Sequence, residues 1–150
     1  MKIEVELPGD FDEQLVQALI KVEGVLNKDV KNIVNQALLA IESRAKDKSP
    51  VDTGRLRSSI HAVGIGLSDN YRYSIQASDG QPAATYDGAL TDADGTDEGI
   101  GYVGTNVEYA PEQEFGGNSG NKGGHKFLTL ATAEIIPKMN IELSRLDVKP

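Results

Sequence analysis

Three clusters of residues have types and spacings that could do chemistry. Asp52-Thr53-Gly54 is the triplet in which aspartic proteases carry a catalytic carboxylate. In that chemistry an apolar strand leads into the triplet and a second carboxylate shares its proton. Here a charged stretch and Pro50 lead in, and Arg55 follows. Asp92, Asp94, Asp97 and Glu98 give an oxygen density suited to calcium. A helix–loop–helix calcium loop needs glycine at its sixth position and glutamate at its twelfth. Counted from Asp92, the glycine falls at the fourth. Gly116–Gly124 is glycine-rich around Lys122 but lacks the adjacent Gly-Lys-Ser/Thr that cradles phosphate. His61 and His125, the only histidines, have no serine or carboxylate at motif spacing. A non-enzymatic protein without metal or cofactor is therefore expected.

Composition narrows the classes further. At 150 residues the chain is the size of one domain, residues 1–150, with room for a hydrophobic core. It has no tryptophan and three phenylalanines, so aliphatic side chains must fill that core. It has no cysteine, which excludes disulfides and thiolate metal sites. No apolar run approaches the roughly 20 residues that span a bilayer, and no membrane partner is expected. The first seven residues alternate apolar and charged, unlike a signal peptide, so synthesis in a cytoplasm is expected. Nine acidic residues lie between Asp79 and Glu114, with no lysine or arginine among them. Without these nine, the net charge of −8 falls close to neutral. Such a stretch repels phosphate, so nucleic acid could pass it but not adhere.

The pattern of apolar residues predicts the elements. Ile3, Val5 and Leu7 alternate and predict a short strand ended by Pro8-Gly9. Asp10 and Glu13 have capping-box spacing. Leu15, Leu19, Val22 and Leu26 then suggest a short helix, and a longer one follows over Lys28 to Asp47. Pro50 ends it, and a helical turn is predicted at Arg55–Ser59. His61–Leu67 and Tyr71–Ala77 alternate around Ser68-Asp69-Asn70 and predict a hairpin. Ile100–Thr105 should extend it into an antiparallel meander. Residues 79–98 predict a flexible acidic insertion, and 116–124 a flexible loop. Val107–Phe115 suggests a short helix, and Lys126–Leu146 a final helix kinked or split at Pro137. The fold class predicted is α+β, with a long N-terminal helix and a C-terminal helix packed on a small antiparallel sheet.

Two segments stand out once chemistry is set aside. They are Ser49-Pro50-Val51-Asp52-Thr53-Gly54-Arg55-Leu56-Arg57-Ser58-Ser59-Ile60 and Val103-Gly104-Thr105-Asn106-Val107-Glu108-Tyr109-Ala110-Pro111-Glu112-Gln113-Glu114-Phe115-Gly116. A long helix runs into the first, strands separate them, and a phenylalanine-led helix follows the second. This order resembles the tail-completion and neck (head–tail joining) proteins of long-tailed bacteriophages, over roughly residues 10–146. The acidic insertion is longer than the connection usual in those proteins.

The resemblance implies a structural virion protein of the tail or neck, made in the host cytoplasm. It implies a homo-oligomeric ring, expected as a hexamer, that meets a head-side connector and a tail tube or tail terminator. Double-stranded DNA would pass through its channel without specific binding. Pro50, Asp52, Thr53, Gly54, Arg55, Arg57, Tyr109, Glu114, Phe115 and Gly116 form the assembly motif. Within it, Arg55 and Arg57 are expected to pair with acids of a neighbour, and Tyr109 and Phe115 to anchor in the core. Asp87, Asp92, Asp94, Asp97 and Glu98 are candidates to face the lumen or a basic partner. The alternative reading is a small cytosolic module that binds a peptide or calcium.

Overall fold

The structure is a computed structural model. It describes residues 2–7, 16–24, 27–50, 55–65, 72–75, 84–87, 99–105, 107, 109–116 and 124–146. Its longest element is helix α1, Lys28–Lys48, one residue longer than the sequence predicts. Asn27 starts it by accepting the Val30 N–H on its side-chain oxygen at 2.9 Å. This satisfies one of the donors that every helix start leaves over. Asp29 in the first turn and Lys46 and Lys48 in the last complement the helix dipole. The Ser49 N–H closes the far end on the Ala45 and Lys46 carbonyls, and Pro50 prevents continuation. Val30, Val34, Ala37, Leu38, Ile41 and Ala45 form its buried stripe.

That stripe packs against helix α4, Phe127–Ser144, and against a four-stranded antiparallel sheet. The strands are β1 (Lys2–Glu6), β2 (Val16–Glu23), β3 (His61–Val63) and β6 (Ile100–Thr105), in the order β1-β2-β6-β3. Helices on one antiparallel sheet make this an α+β fold, as the sequence predicts. A two-stranded ribbon pairs β4 (Arg72–Ile75) with β5 (Ala84–Asp87). Two short helices, α2 (Arg55–Ser59) and α3 (Ala110–Phe115), complete the described elements.

Four expectations are corrected. The short helix predicted before Lys28 is strand β2 where it is described. Val16, Ala18, Ile20 and Val22 are its buried residues, at period two, and three of the four are β-branched. Asp10 and Glu13 lie outside the described residues. The hairpin predicted between His61 and Ala77 is not the pairing formed. β3 pairs instead with β6 (Ala62 opposite Val103), and β4 pairs with β5 (Tyr73 opposite Tyr86). The main sheet is therefore not a sequential meander. β6 carries Gly101, Val103, Gly104 and Thr105 in the interior, so its backbone groups need neighbours on both edges, β2 and β3.

The third correction falls inside the predicted acidic insertion, where Ala84–Asp87 is a strand rather than a loop. The fourth concerns Pro137, which does not split α4: the helix runs unbroken from Phe127 to Ser144. Pro137 and Ala133, whose carbonyl loses its helical donor, both lie on the exposed face, where water can replace the bond.

Candidate functional site

The structure brings the two distinctive segments together. α2 ends at Ser59, and β6 ends at Thr105, and both residues are fully buried. Their hydroxyl oxygens lie 2.5 Å apart. Ser59 Oγ also donates to the Leu56 carbonyl at 2.6 Å, which commits its proton. Thr105 Oγ1 accepts the Val107 N–H at 3.2 Å and so supplies the proton between the two hydroxyls. A relay thus runs from Val107 through Thr105 and Ser59 to Leu56. Beside it, His61 stands opposite Gly104 across the ladder, and its Nδ1 lies 3.0 Å from the Ser59 carbonyl. A Cβ at Gly104 would meet the Val16 carbonyl oxygen at 2.3 Å, so the close approach of β2 and β6 requires glycine here.

The second segment is then fixed to the last helix. Glu114, 0 % exposed, turns its carboxylate onto the start of α4. Its Oε2 accepts the Leu128 N–H at 2.9 Å, and its Oε1 the Thr129 N–H at 2.9 Å. The Thr129 hydroxyl also donates to Oε1. Lys126, the residue at the cap position of α4, has a left-handed backbone and no side-chain oxygen. Glu114 therefore does from a distance what a serine or aspartate at that position would do locally. Charge at the positive end of a helix adds to the fit. Two backbone bonds run alongside, His125 N–H to the Gln113 carbonyl at 2.7 Å and Lys126 N–H to the Glu114 carbonyl at 3.2 Å. Gly124, at φ 68°, lies so near that an added Cβ would sit 2.3 Å from the Glu114 carbonyl oxygen.

The remaining motif residues divide by environment. Pro50 is half-buried just beyond the α1 cap. Asp52, Thr53 and Gly54 lie outside the described residues, and Arg55 opens α2. Half-buried Arg57 donates from Nη2 to the Ser49 carbonyl at 3.5 Å, closing the first segment on itself. Its Nε is buried without a partner. Tyr109 precedes α3 and Phe115 ends it, and both pack half-buried against the core. Gly116 (φ 95°) then donates its N–H to the Glu112 carbonyl at 2.8 Å. Asp87 ends β5 opposite Arg72 in the register. Asp92, Asp94, Asp97 and Glu98 lie outside the described residues.

Sequence reasoning placed Glu114 in the motif but missed its role as a cap, and missed Ser59 and Thr105. The absence of any capping side chain before Phe127 was the available signal. Among the described residues, no group of three or more histidines and acids could hold a metal ion. None of the described helices is long and apolar enough to cross a membrane. Among the described residues the resolved shifts in acidity are at the surface: a hydrogen bond and charge attraction between Lys2 and Glu4, 2.9 Å apart, raise the lysine and lower the carboxyl.

The family model described as Bacteriophage HK97-gp10, putative tail-component, matches residues 13–116. That span is more than half the chain and contains both distinctive segments. The chain belongs to the HK97-gp10-like family. No curated protein and no solved structure matches it. Membership makes it a structural tail component of a bacteriophage, a protein of the virion that works among other virion proteins.

Proposed function

We propose that the chain assembles as a ring at the head–tail junction, where it completes the tail or the neck and lets double-stranded DNA pass. The observation that carries this reading is the family match across both segments, over a fold in which those segments are bonded to each other. The ring is a hexamer, with a head-side connector on one face and the tail tube or terminator on the other. The protein acts by shape and charge, without catalysis or cofactor.

A cyclic ring needs two different, complementary surfaces on each subunit. The sheet offers two unlike edges. β1 is a five-residue strand in which Lys2, Glu4 and Glu6 alternate with apolar residues, and β3 is a three-residue strand. Either can take up an extended segment of a neighbour by strand addition. The acids of residues 79–114 suit a lumen through which DNA slides, since a basic surface would hold it. Asp87, Asp92, Asp94, Asp97 and Glu98 are the ones proposed to face that lumen or a basic neighbour.

The test is a mass measurement on the purified chain alone and then mixed with connector or tail-tube protein. A closed ring should form or lock when a partner is added. A chain that ignores both partners, but melts at higher temperature with calcium, would point to a small binding module instead.

A further inference from the structure

Helix α4 is apolar on two opposite faces. One is the core face led by Phe127 and Leu128. The other is exposed and carries Leu130 (48 % exposed), Ala133, Pro137 and Ile141 (54 % exposed). At 100° per residue these four fall within about 80° of arc and run for ~16 Å along the helix. No charged residue interrupts the stripe. α1, its neighbour in the same layer, differs: its outward Leu39 stands among the exposed polar residues Asn32, Gln36 and Ser43.

The stripe is self-complementary. Its large residues lie at the ends and its smaller ones in the middle. About a twofold axis near Ile135, Leu130 comes opposite Ile141 of a second copy, and Ala133 opposite Pro137, each to within one residue's rise. Glu134 and Lys138 flank one side of the stripe. The same axis brings Glu134 beside Lys138 of the second copy, twice over. A parallel pairing would instead put the Glu134–Lys138 flanks of the two copies on opposite sides of the seam, where neither side chain meets its opposite charge. Glu134 already forms ion pairs with Arg44 at 3.3 Å and Lys48 at 3.5 Å within its own chain. A carboxylate has about four acceptor positions, so Lys138 of a neighbour can still be received.

We infer that two copies of this chain associate through the outer faces of their α4 helices, packed antiparallel about a twofold axis. The contact is self-matching, unlike the head-to-tail contact that a cyclic ring requires. It therefore describes the free protein and does not rest on the ring reading. The stripe is small beside the roughly 800 Å² per partner of a standard interface, so the dimer is weak and concentration-dependent.

Sedimentation equilibrium of the full chain over a range of concentrations should show a monomer–dimer equilibrium. Leu130→Asp with Ile141→Asp should weaken it at least ~10-fold. Both positions are exposed, so the melting temperature reports whether the fold is kept. Orientation is tested by cross-linking, which the absence of cysteine from the chain makes clean. Under mild oxidation, Leu130→Cys mixed with Ile141→Cys should give a covalent dimer, and Leu130→Cys alone should not. A chain that stays monomeric at every concentration, a dimer indifferent to the two aspartates, or Leu130→Cys cross-linking to itself would overturn the proposal.

Discussion

Two buried polar contacts hold the distinctive segments in place. Glu114 carries a full carboxylate into the interior because three donors at the start of α4 wait for it. Glu114→Ala would leave two backbone N–H groups and a hydroxyl around a void. The expected cost is about 2–4 kcal/mol, since an unsatisfied buried donor costs about 1–3 and the two donors of half-buried Thr129 can turn partly to water. Glu114→Gln should cost less, because one oxygen can still accept while its amide nitrogen faces a donor. Urea unfolding at neutral pH measures both, and equal losses would deny the carboxylate its capping role. The Ser59–Thr105 contact makes a second prediction. Thr105→Val should destabilise by about 1–3 kcal/mol, because Val107 N–H loses its acceptor in the interior. Ser59→Ala added to it should cost less than the sum of the two singles, since both break one relay. Neither contact was legible as a pair in the sequence, where Ser59 and Thr105 stand 46 positions apart. Local spacing reveals local bonds, and these are long-range. Glu114 was half legible: its segment was distinctive, and the uncapped Lys126 called for an acceptor.

Among the elements, those decided by strong local signals were read correctly. Asn27, Pro50 and a six-residue apolar stripe bound α1 to within one residue of expectation. The turn at Arg55–Ser59 and the strand Ile100–Thr105 coincide with their predicted ranges. Strand β2 was misread because two periods overlap in it. Leu15, Leu19 and Val22 fit a helix, while Val16, Ala18, Ile20 and Val22 fit a strand, and burial against β1 and β6 decides for the second. The sheet order was misread for a different reason. β3 and β6 are separated by 36 residues, and a nearer alternating run offered a plausible hairpin partner. Pro137 gives the test at this scale. If exposure lets α4 run through it, Pro137→Ala should restore a backbone bond and stabilise the protein by about 1–3 kcal/mol. For a chain of this size that is several degrees in melting temperature. An unchanged or lowered melting temperature would show that the proline is needed where it stands.

For the whole molecule, the question is what a small acidic α+β domain contributes to a phage tail. Its family is established by the match over residues 13–116, and its fold pins both distinctive segments to one core. The acidic stretch should let DNA pass rather than bind. Double-stranded DNA mixed with the assembled protein should therefore show no measurable retention even at low salt, where any basic contact would be strongest. Retention that weakens steeply as salt rises would mean a basic surface meets the DNA. A head–tail ring stands or falls on where the protein sits in the virion and whether its assembly closes. Electron cryomicroscopy of intact tails measures both most directly. Density for this fold should appear as a closed ring at the head-proximal end of the tail, encircling the channel. A mature tail lacking the protein, or holding it as single copies away from that junction, would contradict the ring.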